Sequence, residues 1–317
     1  LVDFLGNTAS VSIPLTPAMP PMAMDLDTAA AGTGVVSQSC YGEYLVLTAR
    51  FNAAEPETPS LTVEGASSTA PPMFFRVDSQ TFRAGCAPAE AGQVSLMVNH
   101  PRIEPYESAF HVFKRGQPAQ TIRVGDLEIT APSNAPFGTL FINVTEVENP
   151  PASALPRLGI AYRLEPGNSP VDASLRISFP APEDVTGAGV YRAGRSSWSA
   201  VSTRAEAGRL VIDTGQPGTF AILRDTIPPA ITGFRIEPGG TARPRINATI
   251  HDQGSGIASI RMTANGAWLL AEYDPEENRL DWVRDEDLPG GNVVIELKVT
   301  DAAGNASVMT RELNAQS

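Results

Sequence analysis

The sequence predicts an all-β chain of three tandem sandwiches behind an extended N-terminal arm, and three observations carry that prediction. Between Asn292 and Thr300 the residues alternate, with Val293, Ile295, Leu297 and Val299 on one side and Glu296, Lys298 and Thr300 on the other. Arg245 to His251 repeats the pattern with Ile246, Ala248 and Ile250. A period of two is the signature of a strand with one buried face. The third observation is Asn265-Gly266, a pair suited to a two-residue hairpin because both residues tolerate the positive φ of a type I′ turn. No run of apolar residues at helical spacing extends beyond about two turns, so helix content is predicted to be low. The 27 glycines and 28 prolines suit short strands joined by turns.

Residues 1–34 form the arm. Pro14, Pro17, Pro20 and Pro21 alternate with Met19, Met22 and Met24 after an apolar knot at Leu1-Val-Asp-Phe-Leu5. Prolines at that density disfavour helix and central strand and leave extended backbone. Two placements are open: the arm packs along its own first sandwich, or it lies across a partner. In the second case Leu1, Phe4, Leu5, Met19, Met22 and Met24 are the candidate anchors, methionine being adaptable at binding surfaces.

The first sandwich is assigned to 35–115, with strands expected around 44–51, 60–63, 73–77, 93–98 and 109–113. The second is assigned to 116–226, with nine short apolar runs from Gln120-Thr-Ile-Arg-Val124 to Gly218-Thr-Phe-Ala-Ile-Leu223. The third, 227–317, opens on the diproline Pro228-Pro229. Proline fixes its own φ and restricts the preceding residue, so a stiff joint is expected there. Regular short strands and turn signals of this kind point to immunoglobulin-like sandwiches.

Charge excludes some partners. A net charge of −12 and a pI near 4.8 argue against nucleic acid, whose phosphates require a basic face. Lysine occurs only at Lys114 and Lys298, which leaves no polybasic patch for a membrane surface. No stretch reaches the roughly 18 apolar residues of a membrane span. The start at Leu1 fits a processed product and equally a trimmed one. The two cysteines, Cys40 and Cys86, are expected to form a structural disulfide within the first sandwich, which would place the protein outside the cytoplasm.

Catalytic chemistry finds little support. The three histidines, His100, His111 and His251, could hold zinc only by converging from two sandwiches and are read as ordinary strand or loop residues, and no Gly-x-Ser-x-Gly elbow singles out a serine. The acidic stretch Glu272, Asp274, Glu276, Glu277, Asp281, Asp285, Glu286 and Asp287 is read first as a solvated face. Calcium at a loop tip involving Asp252 or Asp301 is the alternative. Trp198, Trp268 and Trp282 would form a sugar platform only by sharing an exposed face.

The run from Val190-Tyr-Arg through Trp198 and Gly218-Thr-Phe to Asp225-Thr-Ile-Pro-Pro229, followed by Asp252-Gln-Gly-Ser-Gly-Ile257 and Asp301-Ala-Ala-Gly-Asn305, resembles the non-catalytic C-terminal region of secreted bacterial M23-type metallopeptidases and related envelope proteins. The resemblance covers roughly residues 120–315. It implies an accessory β-domain followed by an immunoglobulin-like domain. The peptidase zinc elements, His-x-x-x-Asp and His-x-His, are absent. The expected function is therefore a non-enzymatic, periplasmic or secreted bacterial binding protein without cofactor. It would act as an accessory subunit of a membrane-embedded or envelope assembly (respiratory, photosynthetic, secretory or similar). An accessory region of a wall-active peptidase and a carbohydrate- or peptidoglycan-binding module are the alternatives.

Overall fold

The computed structural model describes residues 33–41, 43–65, 72–165, 171–195, 197–237, 245–283 and 291–315. The arm anchors Leu1, Phe4, Leu5, Met19, Met22 and Met24 lie outside them. Among the described residues every regular element is a strand, and the sheets stack in layers consistent with β-sandwich packing. No described helix is long and apolar enough to cross a membrane.

The N-terminal core is enclosed by β1 (Gly34–Tyr41), β2 (Tyr44–Phe51), β3 (Ser60–Gly65), β4 (Phe75–Arg76), β5 (Thr81–Cys86), β6 (Gly92–His100) and β7 (Ile103–Lys114). One layer runs β1-β2-β5-β4 and the other β3-β6-β7. Leu45, Leu47, Ala49 and Phe51 alternate inward along β2, meeting Phe82 and Ala84 of β5 and Val94, Leu96 and Val98 of β6. The layers touch edge to edge where Gly34 pairs with Ile103. A Cβ at Gly34 would stand 2.7 Å from the Phe51 ring and 2.9 Å from Ile103, so only glycine lets the two chains meet.

The expected disulfide is not formed. Cys40 of β1 and Cys86 of β5 both face Leu45 of β2, one from each side. They are thus two strand spacings apart, about 10 Å, whereas a bridge needs Cα atoms within about 7 Å. Burial pushes the Cys86 thiol above its ordinary pKa, which keeps it protonated and unreactive.

The middle core is built by β8 (Gln120–Val124), β9 (Leu127–Ala131), β10 (Thr139–Val147), β11 (Ala161–Glu165), β12 (Leu175–Pro180), β13 (Ala188–Ala193), β14 (Trp198–Ala200), β15 (Thr203–Glu206), β16 (Arg209–Thr214) and β17 (Thr219–Arg224). Its layers run β15-β16-β12-β9-β8 and β14-β13-β17-β11-β10. The second layer does not stop at β10. Thr139–Ile142 pair with β7 while Asn143–Val147 pair with β11, so a single sheet of twelve strands runs through both regions. The β7–β10 ladder is a wall with a core on each face. Phe141 belongs to the N-terminal core, whereas Leu140, Ile142 and Phe113 belong to the middle one. The two regions are therefore fused through a shared sheet rather than strung on a linker.

The C-terminal core lies between two four-stranded sheets. Their strands are β18 (Ala230–Glu237), β19 (Arg245–His251), β20 (Ile257–Ala264), β21 (Ala267–Leu269), β22 (Glu272–Asp274), β23 (Arg279–Val283), β24 (Gly291–Asp301) and β25 (Ala306–Ala315). The sheets run β18-β19-β23-β22 and β21-β20-β24-β25. Val293, Ile295, Leu297 and Val299 are fully buried against Ile246, Ile250 and Leu280. Asn265 and Gly266 take φ of 48° and 86°, the geometry expected of the hairpin joining β20 to β21.

Candidate functional site

Three turns that look unrelated in sequence converge where the middle core hands over to the C-terminal one. The first is the exit from β17. Asp225 donates its N–H to Gly187 O at 2.8 Å, and Ile227 packs against a small apolar cluster containing Leu155, Tyr191 and Leu223. That cluster anchors the Asp-Thr-Ile-Pro-Pro segment to the middle region. The second turn joins β19 to β20 and carries Asp252, Gly254, Ser255 and Gly256. The third joins β24 to β25 and carries Asp301, Gly304 and Asn305.

Each aspartate organises backbone as a short acidic side chain does in a tight turn. Asp225 Oδ1 accepts the Ile227 N–H at 3.0 Å and Oδ2 accepts the Ser255 N–H at 2.6 Å, the second bond crossing from one region to the other. Asp252 Oδ2 accepts the N–H groups of Gly254 and Gly256 at 2.9 and 2.7 Å. Asp301 Oδ1 accepts the Asn305 N–H at 2.8 Å, and its Oδ2 accepts the Asn305 side-chain amide at 2.9 Å. The same amide reaches Asp225 O at 3.2 Å, and Ser307 Oγ donates to Pro229 O at 2.6 Å. Gly254 sits hard against Asp225, where a Cβ would lie 2.1 Å from Oδ2.

The electrostatics of this joint are unusual. One carboxylate oxygen from each of Asp225, Asp252 and Asp301 lies within 4.8 Å of the other two. Asp225 is 1% exposed and Asp301 2%. At an effective dielectric of about 20, unit charges at that separation repel by roughly 3 kcal/mol per pair. None of the ion pairs among the described residues involves any of the three. The Asp252 Oδ1 atom is shut off from solvent and has no hydrogen-bond donor. Tyr191, fully buried alongside, has its phenol pKa pushed well above the ordinary value, first by burial and then by these three charges. The donor set is all oxygen, the kind that suits hard cations.

The other sequence candidates are dispersed. His251 is exposed at the end of β19. His111 lies on β7, where burial lowers its pKa. His100 is buried beside Phe51, with ring centroids 4.7 Å apart. Its Nδ1 accepts the Arg102 N–H at 3.1 Å, which places the ring proton on Nε2, 3.7 Å from Glu55 Oε1. Glu55 in turn binds Arg102 at 2.6 Å, while its carbonyl takes Arg76 Nη1 at 2.6 Å. This cluster ties the loop after β2 to the β6–β7 turn. In the acidic stretch, Asp281 pairs with Arg245 at 3.0 Å and with Arg279 at 2.5 Å, as on a solvated face. Asp285, Glu286 and Asp287 fall outside the described residues. The tryptophans share no face: Trp268 is 63% exposed on β21, Trp282 is buried in the C-terminal core, and Trp198 Nε1 donates to Pro151 O at 3.0 Å.

Comparison with known proteins finds no protein-family model that matches the chain and no curated protein significantly similar to it. Asp252 and Asp301 are individually conspicuous in the sequence. Asp225, the residue that brings them together, stands in the Asp225-Thr-Ile-Pro-Pro229 run, but nothing in that run marks it as a partner of the other two.

Proposed function

We propose that the chain is a non-catalytic, extracytoplasmic scaffold of three immunoglobulin-like sandwiches that acts as an accessory subunit of a bacterial envelope or membrane assembly. The observation that carries this reading is the outward face of the β1-β2-β5-β4 layer. Its inward residues pack the N-terminal core, yet Tyr41 and Tyr44, which are register partners, are 60% and 56% exposed. Phe75, on the edge strand β4, is 58% exposed on that same face. Gly85 between them leaves the face open. Aromatic residues grouped on one solvent face of a sheet suit a protein partner. The shared wall and the bonded joint hold that face on a stiff stalk. The Pro/Met-rich arm, which enters β1 in the same layer, supplies the second contact through Leu1, Phe4, Leu5, Met19, Met22 and Met24. Secretion follows from the resemblance to secreted modules, since the cysteines no longer speak for an oxidising compartment.

The test is co-purification of the tagged full chain with membranes of its source organism. Tyr44→Ser with Phe75→Ser, and separately removal of residues 1–32, are each expected to release the protein while leaving its far-UV circular dichroism unchanged. Retention of both variants on the membranes at the wild-type level refutes the scaffold reading. A second reading, the accessory region of a secreted M23-type peptidase, is favoured by one observation. The three motifs that carry that resemblance meet in one joint. A longer gene with His-x-x-x-Asp and His-x-His upstream would decide for it.

A further inference from the structure

We propose that Asp225, Asp252 and Asp301 bind a calcium ion that locks the C-terminal region onto the middle one. Two independent observations meet here. The first is the cluster itself: one oxygen from each carboxylate within 4.8 Å of the others, supplied by three separate turns. Ligands of a common ion at 2.3–2.6 Å stand at most about 5 Å apart, so one calcium spans the group. The second is Asp252 Oδ1, a carboxylate oxygen with no solvent access and no donor. Its companion Oδ2 is held by two loop N–H groups, so the turn is already satisfied without Oδ1. A buried anionic oxygen left in that state requires a positive partner, and among the described residues no lysine, arginine or histidine is ion-paired with it.

The chemistry selects the ion. With no nitrogen or sulfur donor in the cluster, softer transition metals gain nothing over a hard cation. Magnesium keeps several waters and demands a compact octahedron, whereas calcium accepts an irregular, largely dehydrated oxygen cage. Two of the three carboxylates are almost wholly buried, which favours calcium. Asp225 belongs to the middle region and the other two to the C-terminal region, so the ion would act as a clasp between them.

Tyr191 offers a direct readout, because its buried phenol feels all three charges and an adjacent aromatic ring sensitises terbium emission. The full chain, stripped with EDTA, is titrated with Tb3+ under tyrosine excitation and then with Ca2+ in competition. Expected are sensitised emission that Ca2+ displaces, and a thermal midpoint that rises with Ca2+ and falls back in EDTA. In Asp252→Asn the amide replaces the unpaired oxygen and removes one charge. That variant is expected to bind at least about tenfold more weakly and to melt no lower than the wild type in EDTA. Tyr191→Phe is expected to lose the emission but keep the Ca2+ shift. A wild-type midpoint identical in Ca2+ and EDTA, with no sensitised emission, overturns the proposal without any variant. So does emission that survives Asp252→Asn and disappears in Asp274→Asn, which would place the ion on the acidic β22–β23 face.

Discussion

Replacing Gly254 by alanine tests the joint with a single methyl group. The added Cβ would stand 2.1 Å from Asp225 Oδ2, 2.3 Å from its Cγ and 2.6 Å from its Oδ1. The carboxylate has little room to retreat, being buried and pinned by the N–H groups of Ile227 and Ser255. The 252–256 turn must therefore lift away, breaking the Ser255–Asp225 bond. A hydrogen bond to a charged group contributes about 1.5–3 kcal/mol, and forcing a methyl into packed space costs about 1–3 kcal/mol. The expected loss is about 3–5 kcal/mol, large for one methyl group. Gly266→Ala serves as the contrast: unlike Gly254 it has a positive φ, 86°, and a Cβ there meets open space, so backbone strain alone costs about 1–2 kcal/mol. Urea unfolding followed by tryptophan fluorescence, with Trp282 buried in the C-terminal core, measures both. A Gly254→Ala protein within about 1 kcal/mol of wild type, or more stable than Gly266→Ala, refutes the account of how the regions are joined.

Phe141→Ala should cost about 3–5 kcal/mol, because the ring is buried in the N-terminal core from a strand that also walls the middle one; chemical denaturation of the full chain checks it. The Glu55 carboxyl lies below its ordinary value of 4.5, chiefly through the Glu57 N–H, with the Arg102 charge also acting against the opposing effect of burial. A depressed acid contributes stability above the unfolded pKa and loses it as pH falls through the lower folded value. Glu55→Gln is therefore expected to flatten the decline of the melting temperature below about pH 4.5 and to leave its shape at neutral pH unchanged. Treatment with dithiothreitol should not shift the unfolding midpoint, since no bridge links Cys40 to Cys86. Iodoacetamide should label Cys86 only after denaturation, as mass spectrometry of native and unfolded samples would show.

The strands most legible in the sequence are those with one wet face and large inward residues. Arg245–His251 and Asn292–Thr300 alternate because their outward positions are polar, Val294 excepted. β5 escaped notice because its inward positions include Ala84 and Cys86 and its outward ones Arg83 and Gly85, too little apolar contrast to register. β1 hides behind Ser37, Gln38 and Ser39 for the same reason. Leu140-Phe141-Ile142 is apolar without alternation, which marks a strand buried on both faces but cannot say that two different cores claim it. The two cysteines are kept apart by strand pairing, which local sequence does not encode and which sets Leu45 between them. At the joint, the Asp301-to-Asn305 run has residues suited to a tight turn, a short acid and a glycine, and Gly304 takes a φ of 92°. The meeting of Asp225 with Asp252 and Asp301 depends on how the chain closes over long sequence separations, which local pattern does not encode.

A strand that two cores lean on changes how the molecule can be taken apart. Cutting the polypeptide near residue 115 would strip the 103–114 strand of its neighbour, exposing unpaired backbone groups along an edge together with Phe113. The other piece would carry Phe141 bare on its surface. Each fragment would then offer the other's missing edge as a template for stray pairing. The first two regions are thus expected to fold and be inherited only as one piece, while the C-terminal region, joined by turns and a small apolar contact rather than by a shared strand, remains the part that can be exchanged.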